Sequence, residues 1–264
     1  MNRFEPWPRS TPEVFLGLTA LSYPSTKQRV RKLMPASVAR LSRFLLRVAD
    51  PHATVSYAQE GEDLILLRLF GNTHRGFYVD VGAHHPSRFS NTCALYLRGW
   101  HGINIDADPD AIEAFRRERP RDVNLSLGVL QTPGQSTLYK FSDPALNTFD
   151  EALAREREKL PGYRLVAKRD VPTERLDTIL AQHLPDGPTI DVLNVDAEGR
   201  DLEVLRSNDW GRFQPRCVLV EARIGGLDQL GSDQTHTFLV QQGYRLHAKT
   251  VNTLIYVRGD EVCA

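Results

Sequence analysis

Four acidic residues stand at the ends of apolar runs. They are Asp80 after Gly76–Val79, Asp106 after Gly102–Ile105, Asp196 after Thr189–Val195, and Glu221 after Cys217–Val220. A lone acid in such a place is usually a helix cap or a solvated loop residue. Four of them at matching ends of one sheet would line a single rim. An acidic rim suits a cationic or hydroxyl-rich ligand and repels phosphate. The turn after the first run is Asp80-Val81-Gly82-Ala83-His84-His85-Pro86, in which Gly82 allows close backbone approach to a ligand. It lacks the glycine spacing that brings helix amides onto a pyrophosphate, which argues against a dinucleotide. Asp106 follows Asp80 by 26 residues, and an acid at the end of a second strand can take both hydroxyls of a ribose. Ribose recognition without a pyrophosphate site points to S-adenosylmethionine.

The elements that must position these acids read as an alternation. Helices are expected over 57–70, 91–97, 109–119, 174–184, 201–206 and 235–242. Strands are expected over 76–82, 102–106, 123–130, 189–196 and 217–221, with an extra strand over 136–141 and two closing strands over 244–247 and 253–257. Residues 142–170 are polar and give no clear periodicity; they would cover an acceptor site, since loops on a rigid sheet carry specificity, although a solvated helix is the cheaper explanation for the charge run Glu151–Lys159. Strands alternating with helices imply a parallel sheet covered on both faces. The last two strands are joined too closely for a crossover, so they form an antiparallel hairpin. The expected fold class is therefore α/β, Rossmann-like: a mostly parallel seven-stranded sheet with helices on both faces and a C-terminal antiparallel hairpin, the architecture of class I methyltransferases.

Composition bounds the alternatives. The chain has 264 residues, 41% hydrophobic and 25% charged, an ordinary globular balance. Lys+Arg and Asp+Glu are both 33, so a nucleic-acid coat is disfavoured and no nucleic-acid partner is expected. The charge is unevenly spread: residues 1–50 hold nine Lys/Arg against three Asp/Glu, +6, leaving −6 for residues 51–264. The expected domains are a basic helical extension over 1–50 and a cofactor-binding domain over 51–264. Within the extension, Val38, Leu41, Phe44, Leu45 and Val48 follow helical spacing around Arg40, Arg43 and Arg47. Such a helix either packs on the main domain or touches anionic lipid, which would make residues 36–48 a peripheral membrane contact. Three scattered cysteines form no disulfide framework or zinc spacing, and no apolar run approaches the roughly 20 residues of a membrane span. A cytoplasmic location is expected. Oligomeric state is not legible.

Several longer segments resemble the FkbM family of S-adenosylmethionine-dependent methyltransferases. They are Ser56–Asp63, Phe77–Pro86, Ser90–Thr92, Leu95–Trp100, Gly102–Pro109, Arg175–Asp177, Leu193–Gly199 and Val220-Glu221. The resemblance covers roughly residues 56–257 and implies O-methylation of a hydroxyl, of a sugar in a glycan or glycolipid precursor or of a secondary metabolite. It implies that Asp80 and Gly82 hold the methionine end of the cofactor and Asp106 the ribose, with Ala107 and Asn104 shaping the adenine slot and Glu60 and Asp63 closing the pocket.

A sugar hydroxyl is a poor acid, so the transfer needs a general base or a metal. Asp196 and His85 are the foremost candidates for the base, with His84, Glu198, Glu221 and His247 also at the rim. Asp196, Glu198 and Glu221 are candidate ligands for Mg²⁺; the pair at 196 and 198 reads equally as a cap plus a salt-bridged acid, the preferred reading for Glu198. Two other classes stay open. One is a nicotinamide-dependent oxidoreductase or epimerase, although Tyr163 and Lys168 miss the Tyr-x-x-x-Lys spacing. The other is a non-catalytic cofactor-binding module, because fold alone does not establish function.

Overall fold

In the computed structural model, which describes residues 52–71, 73–185, 189–222 and 226–259, the acid-tipped runs lie side by side. The main sheet is built from β1 (Phe77–Val81), β2 (His101–Asp106), β3 (Val123–Ser126), β7 (Ile190–Val195), β8 (Cys217–Glu221), β9 (Tyr244–Lys249) and β10 (Thr253–Arg258). Its order is β3-β2-β1-β7-β8-β10-β9. The first five are parallel neighbours, and β10 runs antiparallel to both β8 and β9. Every residue of β1 and β7 is buried, as continuous apolar runs require when both faces are covered. Chain order reverses between β1 and β7, and such a switch point opens a crevice beyond the carboxyl ends of the strands.

Two apolar layers flank the sheet. One contains Val79, Val81, Ile105, Leu193 and Val218, packed against α5 (Leu176–His183), α6 (Asp201–Arg206) and α7 (Gln234–Gln241) through Ile179, Val204 and Leu239. The other contains Tyr78, Val192 and Leu219, packed against Leu66 of α1 (Glu62–Phe70) and Leu95 of α2 (Cys93–Leu97). Trp100 and Tyr96 are buried in this second layer. Alternate residues of β1 thus serve opposite faces, which puts Asp80 on the side of α1 and α2. Beside β2 and β3, α3 (Pro109–Glu118) opens with Pro109 in its first turn, and the Asp108 carboxylate accepts the Asp110 N–H at 3.2 Å.

The structure corrects four expectations. The first helix begins at Glu62, not Tyr57: Asp63 accepts hydrogen bonds from Ser56 Oγ at 2.6 Å and from the Tyr57 N–H at 2.7 Å, which folds 56–61 into a cap instead of a turn of helix. The strand expected over 123–130 breaks at Leu127, whose N–H donates to the Asp106 carbonyl. Its second part, β4 (Gly128–Val129), joins a separate sheet of order β4-β6-β5 with β5 (Gly134–Phe141) and β6 (Leu165–Glu174). Glu174 therefore ends a strand and does not open a helix. The unassigned stretch 142–170 holds a 3₁₀ turn at Pro144–Leu146, α4 (Glu151–Arg157) and the start of β6. The chain's contacts divide it between Val55 and Ser56. Residues 1–50, with the helix expected over 38–48 and the membrane contact at 36–48, lie outside the described residues.

Gly82 has φ 75°, and a Cβ there would sit 1.8 Å from the Asp196 carbonyl oxygen. The glycine lets the two loops at the switch point touch, which is a tighter demand than room for a ligand. Gly82→Ala is expected to cost about 3 kcal/mol. That lowers the melting temperature by roughly 6–12 °C, readable by calorimetry; a fall below about 2 °C would refute the contact.

Candidate active site

Across β2, β1 and β7, Asn104, Asp80 and Asn194 stand at one level. Asp80 is buried, and its two oxygens accept from Thr92 Oγ1 at 2.6 Å and Asn194 Nδ2 at 2.9 Å. Burial raises its pKa above the usual carboxylate range, against the pull of those two donors and of Arg119. The buried Arg119 guanidinium donates to Thr92 Oγ1 at 2.8 Å, to Ser90 Oγ at 2.8 Å and to the Pro86 carbonyl. Asn91 Nδ2 donates to Asn194 Oδ1 at 2.9 Å. This network fixes the 86–92 loop to the strand ends and forms the floor of a cleft of about 400 Å³.

Asp80, Gly82, Asp106, Ala107, Asp196, Glu198, Glu221 and Glu60 all line that cleft. Asp106 Oδ2 accepts the His84 N–H at 2.8 Å and Oδ1 the Asp108 N–H at 2.7 Å. Each oxygen accepts up to two bonds, so both retain a lone pair for a ligand. Asp106 is partly open to the cleft, yet protein walls it on the other sides; desolvation leads and lifts its pKa to about 6. Ala107 beside it offers a small apolar surface.

Asp196 sits just past β7, its N–H on the Val81 carbonyl at 2.9 Å. Its side chain opens on the cleft, so water reaches it, although the crowded walls still desolvate it. That desolvation first, and then the charges of Glu198, Glu221, Asp201 and Asp80, raise its pKa well above the carboxylate range. Asp196, Glu221 and Asp201 bring carboxylate oxygens within 4.8 Å of one another. Asp201 caps the loop by accepting the N–H groups of Ala197 at 2.8 Å and Gly199 at 3.2 Å, and its burial lifts its pKa to about 7.

Other expected residues take different places. Asp63 is the cap acceptor described above and does not line the cleft; its neighbour Glu62 does, accepting from Thr250 Oγ1 at 2.7 Å. Glu60 lines the cleft and holds Asn252 through its N–H at 2.8 Å and Nδ2 at 2.7 Å, tying the cap to the hairpin turn. His85 is outside the cleft lining, its Nδ1 accepting the N–H groups of Ser87 at 3.1 Å and Arg88 at 3.0 Å. His84 lines the cleft instead, with φ 55°, its pKa lowered by burial and then by Arg88 and His85. Asn104 is buried against Asp122 and Asn124 and is not in the lining. His247 is exposed on β9 and also outside it. Glu198 is the salt-bridged acid of the two readings, paired with Arg157, and Asp201 takes the place among the clustered carboxylates that a metal ligand at 198 would have had.

In sequence, Arg157 sits in the charge run Glu151–Lys159, which reads most cheaply as a solvated helix. The signal was its spacing: Arg157 is three residues from Ala154, the other buried position of α4. Segment 143–149, Arg157 and Tyr163 line the cleft, so the polar stretch does cover the site.

A model described as "Methyltransferase FkbM domain" matches residues 80–246. The chain is 35% identical over 98 residues to the methyltransferase sdnD of Sordaria araneosa, a match covering 34% of this chain and 37% of that relative. Solved structures similar to the chain include a TehB-like SAM-dependent methyltransferase of Corynebacterium glutamicum (12% identity, TM-score 0.39, 85% of this chain and 100% of that one). An O-methyltransferase of Bacillus cereus in complex with SAH is another (12% identity, TM-score 0.36, 88% and 96%).

Proposed function

The chain belongs to the FkbM family of S-adenosylmethionine-dependent methyltransferases, and from that premise we propose that it is an O-methyltransferase acting on a hydroxyl of a sugar, in a glycan or glycolipid precursor, or of a secondary metabolite. The observation that carries the reading is one cleft holding Asp106, its two oxygens each anchored by a backbone N–H, together with the cavity-facing Asp196. The cofactor fits this donor set. Its cationic sulfonium and ammonium would suit a lining that carries Glu60, Glu62 and Glu221, while Arg157, the one arginine of the lining among the described residues, is already paired with Glu198. Bound S-adenosylmethionine supplies an electrophilic methyl group. Asp106 accepts hydrogen bonds from the ribose hydroxyls and Ala107 leaves room for the adenine. Glu60 holds the cap over the methionine end, and Asp80 with its partners keeps the floor rigid. Asp196 takes the proton of the acceptor hydroxyl as the oxygen attacks; its raised pKa makes it a better base than an ordinary carboxylate once ionised.

Asp106 gives the reading a pH signature. Its carboxylate accepts best when ionised, so S-adenosylhomocysteine binding weakens as pH falls through about 6. The ligand's own carboxyl and amino groups titrate well outside this window. Affinity that is flat from about pH 7.5 to about 5 would count against ribose recognition by Asp106.

A Mg²⁺-assisted version rests on the three carboxylates Asp196, Asp201 and Glu221. Hard oxygen ligands suit that ion. Methyl transfer that survives a chelator removes it. Among the described residues no helix is long and apolar enough to cross a membrane. Cytoplasmic placement, with peripheral lipid contact through residues 36–48, remains part of the proposal. Loss of liposome binding on changing Arg40, Arg43 and Arg47 to Glu would support the lipid contact, and unchanged binding would remove it.

A further inference from the structure

Two aromatic rings of the cleft lining are left exposed. Phe89 is 46% and Tyr163 39% accessible. Exposed apolar surface gathered in one groove marks a ligand site, whereas single scattered apolar residues need no explanation. Phe89 is also held at φ 56°, where a bulky side chain is an outlier. Its neighbours impose that conformation: the Ser90 N–H donates to the Tyr57 carbonyl at 3.0 Å, and Arg119 grips Pro86 and Ser90. Strain that surrounding contacts sustain tends to gather at ligand-binding positions. Tyr163 sits on the turn entering β6, beside Gly162 at φ 88°. That turn is tied to the cover by two bonds between Ser142 and Arg164, at 2.9 and 3.2 Å.

The charges near these rings matter as much as the rings. Asp143 and Glu198 line the same cleft. The nearby cations are engaged: Arg157 with Glu198, and Arg88 with Asp143 at 3.8 Å while stacked 4.6 Å from the Phe89 ring centroid. An acceptor bearing phosphate or carboxylate would meet the acids of the rim with no uncommitted cation among these, which disfavours it against a neutral one.

We propose that Phe89 and Tyr163 are the positioning platform for the acceptor, and that this acceptor is an uncharged pyranoside whose C–H face stacks on the rings. The negative face of each ring attracts the polarised C–H bonds, and the ring hydroxyls turn to the acids of the rim. This rests on the methyltransferase reading and names the acceptor class for the same site.

The test is saturation-transfer NMR on the full chain saturated with S-adenosylhomocysteine, using methyl β-D-glucopyranoside and methyl α-L-rhamnopyranoside as probes and glucose 6-phosphate as the anionic comparison. At least one neutral glycoside is expected to bind, with its C–H protons receiving the transfer, and the phosphate to bind no better. Phe89→Ala with Tyr163→Ala is expected to weaken the glycoside at least fivefold while S-adenosylhomocysteine affinity stays within twofold. Phe89→Tyr and Tyr163→Phe should retain glycoside binding. No glycoside binding by the wild type, preference for the phosphate, or an unchanged double variant overturns the proposal. Failure of the wild type to take up S-adenosylhomocysteine sinks the parent reading instead.

Discussion

Replacing Asp106 with alanine is expected to raise the dissociation constant for S-adenosylhomocysteine about 100-fold. Two hydrogen bonds from ribose hydroxyls to a charged acceptor contribute on the order of 3 kcal/mol together, and 1.4 kcal/mol is a factor of ten. The substitution also leaves the N–H groups of His84 and Asp108 without their acceptor. Asp106→Asn therefore serves as a second variant: it keeps one acceptor oxygen, and its affinity should fall between wild type and alanine. Thermal unfolding of both variants separates a lost ligand contact from a collapsed loop. A folded Asp106→Ala protein that binds within about threefold of wild type would mean that the ribose is held elsewhere.

The second large effect concerns Asp196. Asp196→Asn keeps the shape of the side chain and removes its basicity, so kcat should fall about 10²–10⁴-fold, the usual contribution of a positioned base. Affinity for S-adenosylhomocysteine should stay within about twofold, because the carboxylate is assigned to the acceptor and not to the cofactor. The wild-type pH profile adds a sign. A carboxyl raised above its ordinary range is protonated and idle at low pH, so kcat/KM should rise with pH until Asp196 is ionised and then level off. In Asp196→Asn that limb should vanish at saturating cofactor, leaving only the weaker cofactor binding that follows Asp106 below about pH 6. A variant with wild-type kcat and an intact limb would move the base to another group of the rim, Glu221 first.

The legible part of the molecule was the part written locally. The central strands β1 and β8 are short, mostly apolar runs, and Asp80, Asp106, Asp196 and Glu221 do meet at one cleft. The hairpin followed from connection length alone. The second sheet was not legible because β6 is mostly exposed and shows no clean alternation of apolar and polar residues. Individual roles were harder still, because they depend on partners far away in the chain. Asp80 is engaged by Asn194, 114 positions on, and Glu60 by Asn252, 192 positions on. Asp63 looked equivalent to Glu60 in sequence, yet it spends both oxygens on Ser56 and Tyr57. The positive φ of His84 puts that residue in the cleft lining while its neighbour His85 is left out, a distinction two adjacent identical residues cannot announce.

The central claim is that this acidic cleft is a site for S-adenosylmethionine. Calorimetric titration of the purified wild-type chain with S-adenosylhomocysteine, with NAD⁺ run alongside, tests it most directly. The account predicts saturable heat at one S-adenosylhomocysteine per chain and none with NAD⁺. Saturation by NAD⁺ alone would contradict it in favour of an oxidoreductase, and silence with both ligands would contradict it in favour of a module that keeps the fold without the cofactor.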